Sequence, residues 1–231
     1  MKKLYENIQD KYFKHFVKPG FEYIGKGCYA IKPWHIELFG SPVKGGKFIN
    51  FIAAGDKKIR LTVWTDCENT KGIELGDYVL VCPGVRISAA TQISIGSNCM
   101  LASGVYITDA DWHEIYDRSK SIGTTKPVVI GDNVWLGDSS IVCKGVTIGN
   151  NSIIGAGSVV VSDIPENVIA AGNPAKVIKE LDSGAKIKTR GDWLAEPGKL
   201  IEGFDILQKD LLKDNTTFGW LKSLFFPSHT D

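Results

Sequence analysis

No stretch of this chain approaches the roughly 20 apolar residues that a membrane-crossing helix needs. Its first residues, MKKLYENIQDKYFK, carry two lysines with no apolar segment behind them, so they do not read as a secretory signal. Neither sign of charge is in surplus: 27 Lys and Arg stand against 26 Asp and Glu, for a net charge of +1. That balance gives no support to a nucleic-acid or other polyanionic partner, though it leaves room for a local basic pocket. Paired cysteines are missing as well. Cys28, Cys67, Cys82, Cys99 and Cys143 are scattered, odd in number and without a CxxC spacing. Reduced thiols in the cytoplasm fit that pattern better than a disulfide framework or a structural zinc site.

What the chain has in abundance is a six-residue beat. Ile130, Leu136, Val142, Ile148, Ile154 and Val160 fall six apart, and an earlier series runs Leu75, Val81 and Ile87, slips by two, and resumes at Ile95, Leu101 and Ile107. The fifth residue of each hexad is small or β-branched: Val79, Val85, Val105, Val134, Ser140, Val146, Ser152 and Ser158. Gly often follows the aliphatic residue, with Asp, Asn or Ser next, as in IGSN, IGDN and IGNN. Such residues tolerate the positive-φ backbone of a tight turn. The pattern is short strand, turn, short strand, with two inward side chains per hexad. It is too short for an α/β unit and has the wrong period for an amphipathic helix. Three hexads would close a triangular coil, and stacked coils would share one aliphatic core.

The repeat runs from about Ile73 to Pro165. Before it, residues 21–66 are extended in character, with FINFIAA and IRLTVW divided by Gly and Pro, and could form degenerate early coils. Leu4, Ile8, Tyr12 and Phe16 share a face of an amphipathic helix over 3–17, which Pro19-Gly20 stops. After the repeat, NPAKVIKELD would leave the coil stack and cover its open end, as a solenoid requires. A second amphipathic helix is expected over 199–213. The aromatic tail beyond it, with Trp220 and Phe225, would pack on protein or attach peripherally to a membrane. The expected division is an N-terminal helix over 1–20, a β-helix over 21–180 with an inserted loop at 108–129, and a helical extension over 181–231.

Between Ile107 and Ile130 the beat gives way to TDADWHEIYDRSKSIGTTKPVV. A polar loop of that length inside a compact domain is usually functional or disordered. It holds His113, the one histidine of the repeat region; His15, His35 and His229 lie outside it. A histidine side chain titrates close to neutrality and so suits proton transfer, although a surface histidine in a polar loop is the plainer alternative.

The block IGDNVWLGDSSIVCKGVTIGNNSIIGAGSVVVSDIPENVIAAGNPAKVIK resembles the C-terminal signature of hexapeptide-repeat acyltransferases. The likeness is nearest to the maltose, galactoside and Nod-factor O-acetyltransferase branch and to enzymes of surface-polysaccharide synthesis, and it covers about residues 73–180. It implies a mainly-β fold, a left-handed parallel β-helix, against the usual right-handed crossover preference. It also implies a homotrimer with the active site between neighbouring helices, acetyl-CoA as acyl donor, and no metal.

By the same resemblance His113, in HEIYDR followed by KPVVIGDNVWLG, is the general base. Asp111 is the carboxylate best placed to hold its imidazole. Asp109, Trp112, Tyr116 and Arg118 are the candidates for contact with a sugar acceptor. Trp135 and Asp138 match the segment lining the pantetheine groove. Ala156 matches a main-chain contact to the cofactor, and Lys176 and Lys179 match basic positions near its phosphates. Ser162 stands where many relatives have Lys before the DIP motif, so one cationic contact is missing. The acceptor-gripping Asn and Asp of sugar O-acetyltransferases are absent too, with Pro83-Gly84 and Ala89-Ala90 in that region.

The chemistry expected is acetyl transfer to a sugar hydroxyl. N-acetylation of an amino sugar or small amine, or a non-catalytic β-helix platform, are the alternatives. A zinc-dependent carbonic anhydrase on the same fold would need about three gathered ligands, which one histidine cannot supply. A ping-pong route through cysteine is disfavoured because the loop has none.

Overall fold

The computed structural model describes residues 2–64 and 70–195, together with Thr216. Met1–Arg190 forms one compact unit and Gly191–Asp231 a second. The first unit is a left-handed parallel β-helix. Its first face stacks Tyr23–Ile24, Val43–Gly45, Gly72–Leu75, Gln92–Ile95, Val128–Ile130 and Thr147–Ile148. The second stacks Tyr29–Ile31, Asn50–Ile52, Leu80–Val81, Met100–Leu101, Trp135–Leu136, Ile153–Ile154 and Val168–Ala171. The third stacks Ile36–Phe39, Ile59–Val63, Arg86–Ala89, Tyr106–Thr108, Ile141–Val142 and Val159–Val160.

The register explains the beat. Leu75, Ile95, Ile130 and Ile148 stand in one column of the first face. Val81, Leu101, Leu136 and Ile154 form the column of the second, and Ile87, Ile107, Val142 and Val160 that of the third. All are buried. The strands of two to five residues are too short to be stable alone; stacking in register makes one continuous core. On the first and second faces the third residue after the aliphatic turns the corner with positive φ, as at Asn98 (64°), Asn133 (56°) and Asn151 (60°). The stacked asparagines also bond to one another, Asn133 Nδ2 donating to Asn151 Oδ1 at 3.0 Å and Asn151 Nδ2 to Asn167 Oδ1 at 2.8 Å. Residues 21–63 do form early coils, though their sequence keeps the beat poorly.

The slip and the gap in the beat fall on one edge, while the early coils also lengthen the second-to-third corner, from Ile31 to Ile36 and from Ile52 to Ile59. Where the third face passes to the first, the chain steps from Phe39 to Val43, from Val63 to Gly72, from Ala89 to Gln92 and from Thr108 to Val128. The two-residue slip and the long gap in the beat are therefore stacked, one coil above the other. One coil further the same corner is tight again, from Val142 to Thr147. The inserted loop proper is 109–127, since Thr108 and Val128 already belong to strands.

At the N-terminus the structure departs from the expected pattern. An α-helix at Lys2–Tyr12 continues as a π-helical turn at Phe13–Val17, but it docks on the face one residue round from the expected stripe. Phe13 and Val17 are buried while Leu4, Ile8 and Phe16 are exposed. Phe13 meets Phe51 at 6.0 Å between ring centroids, and the Gln9 side-chain carbonyl accepts the Lys32 N–H. Of the expected stripe only Tyr12 packs against the core, 5.8 Å from Trp34 between ring centroids. After the repeat, Gly172 (φ 104°) reverses the chain, and Lys176–Glu180 pairs antiparallel with Val168–Ala171. The segment thus adds a final strand to the second face, on the open edge of Val168–Ala171. The extension after 180 holds no regular element until a short helix at Arg190–Leu194; the helix expected over 199–213 and the tail with Trp220 and Phe225 lie outside the described residues.

The fifth-position serines are not equivalent. Ser152 Oγ donates to the Pro165 carbonyl at 2.7 Å and Ser158 Oγ accepts the Gly172 N–H at 3.1 Å. Ser140 is fully buried and, among the described residues, its hydroxyl has no partner. An unmet buried hydroxyl costs about 1–3 kcal/mol. Ser140→Ala should therefore raise stability by about 1 kcal/mol, read as a higher urea midpoint at constant m; a lower midpoint would show that the hydroxyl is satisfied.

Candidate active site

The edge that carries the interruptions builds a cleft around His113. The loop leaves and rejoins the helix through a closed neck. The Asp111 N–H donates to the Thr124 carbonyl at 2.9 Å and the Gly123 N–H to the Asp111 carbonyl at 2.8 Å, beside an antiparallel bridge between Ala110 and Thr125. Gly123 is required here, since a Cβ would come within 2.5 Å of the His113 carbonyl oxygen. Glu114 Oε2 accepts the N–H groups of Tyr116 (2.8 Å) and Asp117 (2.9 Å), which fixes the turn after the histidine. Those hydrogen bonds hold the Glu114 carboxyl below its ordinary range.

His113 lines a cleft of about 810 Å³ with Phe39, Trp64, Ser88, Trp112 and Ile122. Phe39 and Trp64 lie 5.0 Å apart between ring centroids, and Trp64 meets the edge of Trp112 at 6.4 Å. Trp112 is fixed by donating its indole N–H to Tyr106 Oη at 3.1 Å. Aromatic faces of this kind bind the apolar faces of sugar rings, and a histidine among them can reach a hydroxyl lying on them. The sequence pattern does not mark Phe39 and Trp64 as site residues. They belong to early coils where the beat is faint, and their approach to the loop depends on how the coils stack.

Two predicted roles are corrected. Asp109 is fully buried, not a substrate contact. Its carboxylate accepts the N–H groups of Ala90, Thr91 and Gln92 at 2.7 Å each, and the Thr91 hydroxyl at 2.9 Å. It is the brace of the slipped corner one coil below. Asp111 does not hold the His113 imidazole either. Its Oδ1 pairs with Lys144 Nζ at 2.7 Å, both side chains partly buried, and so ties the neck to the next coil. Among the described residues no side chain hydrogen-bonds the His113 ring. Trp112 is in the cleft as predicted. Arg118 shares a shallower hollow with His113, Glu114 and Ile115, while Tyr116 is 95% exposed and lines neither.

The predicted cofactor residues divide between other parts of the prism. Trp135 lies outward on the second face, in one row with Ile153, Ile169 and Lys179, and Lys176 opens the same terminal strand. Asp138 and Ala156 stack at the edge between the second and third faces, where the Gly157 N–H donates to the Asp138 carbonyl at 2.7 Å. Ser162, exposed, is on the histidine's edge above the Lys144 corner. The second face is opposite the edge that bears His113, so one chain does not bring Trp135 and the lysines to the histidine.

Cysteine chemistry finds no footing. Burial pushes the Cys99 thiol up to about 12 and raises those of Cys28, Cys82 and Cys143, so none of these four is a ready thiolate. Cys67 lies outside the described residues. Among the described residues no cluster of His, Cys, Asp and Glu could hold a metal ion, and no helix is long and apolar enough to cross a membrane.

Known proteins are similar to this chain in architecture and in sequence. The family described as bacterial transferase hexapeptide (six repeats) matches residues 127–162, and the hexapeptide repeat of succinyl-transferase matches 92–109. Galactoside O-acetyltransferase of Escherichia coli is 33% identical over 172 residues, covering 74% of this chain and 69% of that protein. A Saccharomyces cerevisiae protein provisionally named an acetyltransferase is 41% identical over 116 residues, 50% of this chain and 59% of that one. A provisionally named lipopolysaccharide-biosynthesis O-acetyltransferase of E. coli is 36% identical over 126 residues, 50% of this chain and 64% of that one. Against some of these relatives the chain thus spans less than two thirds of their length. A crystal structure of galactoside acetyltransferase in complex with coenzyme A superposes with a TM-score of 0.53 at 25% identity, over 81% of this chain and 88% of that one. This chain belongs to the hexapeptide-repeat acetyltransferase family.

Proposed function

We propose that this protein is an acetyl-CoA-dependent O-acetyltransferase that acts on a sugar hydroxyl, in the cytoplasm, during assembly of a cell-surface glycan. The observation that carries the reading is His113 set among Phe39, Trp64 and Trp112 in the cleft of the interrupted coil. In the proposed reaction the acceptor oxygen attacks the thioester carbonyl carbon while His113 takes the hydroxyl proton. The resulting tetrahedral adduct collapses, the carbon–sulfur bond breaks, and the imidazolium returns the proton to the departing thiolate. The products are the acetyl ester and free coenzyme A, with His113 neutral again.

The proposal includes a homotrimer. His113 occupies an edge opposite the face of Trp135 and Lys179, and a neighbouring copy could set its second face against that edge. Trp135, Asp138, Ala156, Ser162, Lys176 and Lys179 would then border the donor groove, the lysines offsetting phosphate charge. Trp112 and the Arg118 hollow would face the acceptor. Transfer to an amine remains the rival chemistry, since the same base serves both. Thiol release from acetyl-CoA across sugars, amino sugars and nucleotide sugars tests the reading. Turnover with hydroxyl acceptors, confirmed as ester by mass and by hydroxylamine lability, supports it; turnover only with amines, or none at all, overturns it.

A further inference from the structure

We infer that the acceptor carries an anionic group, a carboxylate or a phosphate, which Arg86 receives at the rim of the His113 cleft. This rests on the cleft being the acetyl-acceptor site. The outward row of the third face places Glu37, Arg60, Arg86 and Tyr106 in consecutive register. Glu37 is the one carboxylate among them, and it is already shared: Lys58 Nζ reaches it at 2.6 Å and Arg60 Nε at 2.7 Å. Arg86, next in the row, has no carboxylate partner among the described residues. Its guanidinium lies 4.4 Å over the Tyr106 ring centroid. Stacking of this kind fixes the plane of the group and leaves its in-plane N–H donors for another ligand.

The position ties that cation to the cleft. Arg86 and Ser88 are two residues apart on one strand, so they share the outward face at a separation of roughly 7 Å, and Ser88 lines the cleft. Tyr106, beneath the guanidinium, is the same residue that accepts the Trp112 indole N–H beside His113. Among the described residues the cleft wall offers no carboxylate for neutral hydroxyls. None of its lining residues is acidic, Asp109 is spent on backbone amides and Asp111 on Lys144. A cleft with aromatic faces and a stacked arginine at its rim suits a sugar with negative charge, because a guanidinium binds carboxylate or phosphate oxygens in a two-pronged, charge-assisted way.

The test uses the full-length protein, acetyl-CoA, and three acceptors matched except for charge: a hexose, its uronic acid and its 1-phosphate. At low ionic strength at least one charged acceptor should exceed the hexose in kcat/KM by about tenfold or more, and salt should shrink that ratio. Arg86→Gln should lower the charged-to-neutral ratio about tenfold, and Arg86→Lys should restore part of it. The uronic acid and phosphate arms decide which anion is preferred. A wild-type ratio near one, or a ratio unchanged by Arg86→Gln in protein that melts normally, overturns the inference while leaving acetyl transfer intact. Absence of transfer to every acceptor overturns the acetyltransferase reading, and this inference with it.

Discussion

His113→Ala should lower acetyl transfer by about 10²- to 10⁴-fold, the usual contribution of a positioned acid–base group. The loss should appear in kcat, since His113 is proposed to act on the proton in flight and the sugar is held by its aromatic neighbours. Stability should move by no more than about 0.5 kcal/mol, because the side chain is exposed and has no hydrogen-bonded partner among the described residues, a setting where substitutions seldom matter to folding. A steady-state assay beside a melting curve makes the check. Full activity in the variant would remove the proposed base. A parallel fall in stability would instead mark His113 as a structural residue of the loop.

The second large effect is expected at Asp109 and in the opposite quantity. Asp109→Ala would strip the acceptor from three backbone N–H groups and one hydroxyl at the slipped corner. Each unmet buried donor costs about 1–3 kcal/mol. Water entering the vacated space would offset part of that sum, so a net loss of at least about 3 kcal/mol is expected. Asp109→Asn keeps the shape but turns an amide NH₂ toward those donors, and should fall between wild type and Ala. Urea titrations of the three proteins would show the order; equal midpoints would mean that the corner holds without its carboxylate. Activity should drop with stability, since the His113 loop departs from this residue.

The contrast between those two residues shows what the sequence could and could not convey. The inward columns were legible because a two-residue strand has few ways to be buried, and every coil repeats the same requirement. The position of the loop was legible as a gap in that repetition. Roles inside the loop were not. Asp109 and Asp111 are two residues apart in a polar run, and nothing in the spacing separates a brace from a base-holder; the difference lies in whether Ala90–Gln92 or Lys144 reaches each carboxylate. Phe39 and Trp64 enter the cleft from coils whose beat is too degenerate to align by eye. The N-terminal helix misled for a related reason: of its apolar stripe of Leu4, Ile8, Tyr12 and Phe16 only Tyr12 packs against the core, while Gln9, which accepts the Lys32 N–H, and Phe13 lie on the side turned inward.

The placing of the slip and the long loop at one edge, within the regular part of the repeat, has an evolutionary consequence. Each coil is clamped on three faces by the rungs above and below, so residues cannot be added or removed there without shifting every column. At the third-to-first edge the chain has already accommodated steps of quite different length, from Ala89 to Gln92 in one coil and from Thr108 to Val128 in the next. Length change at that edge is decoupled from the core. New acceptor preferences can therefore arise by insertion and deletion along one seam, with the foldable scaffold carried forward unaltered.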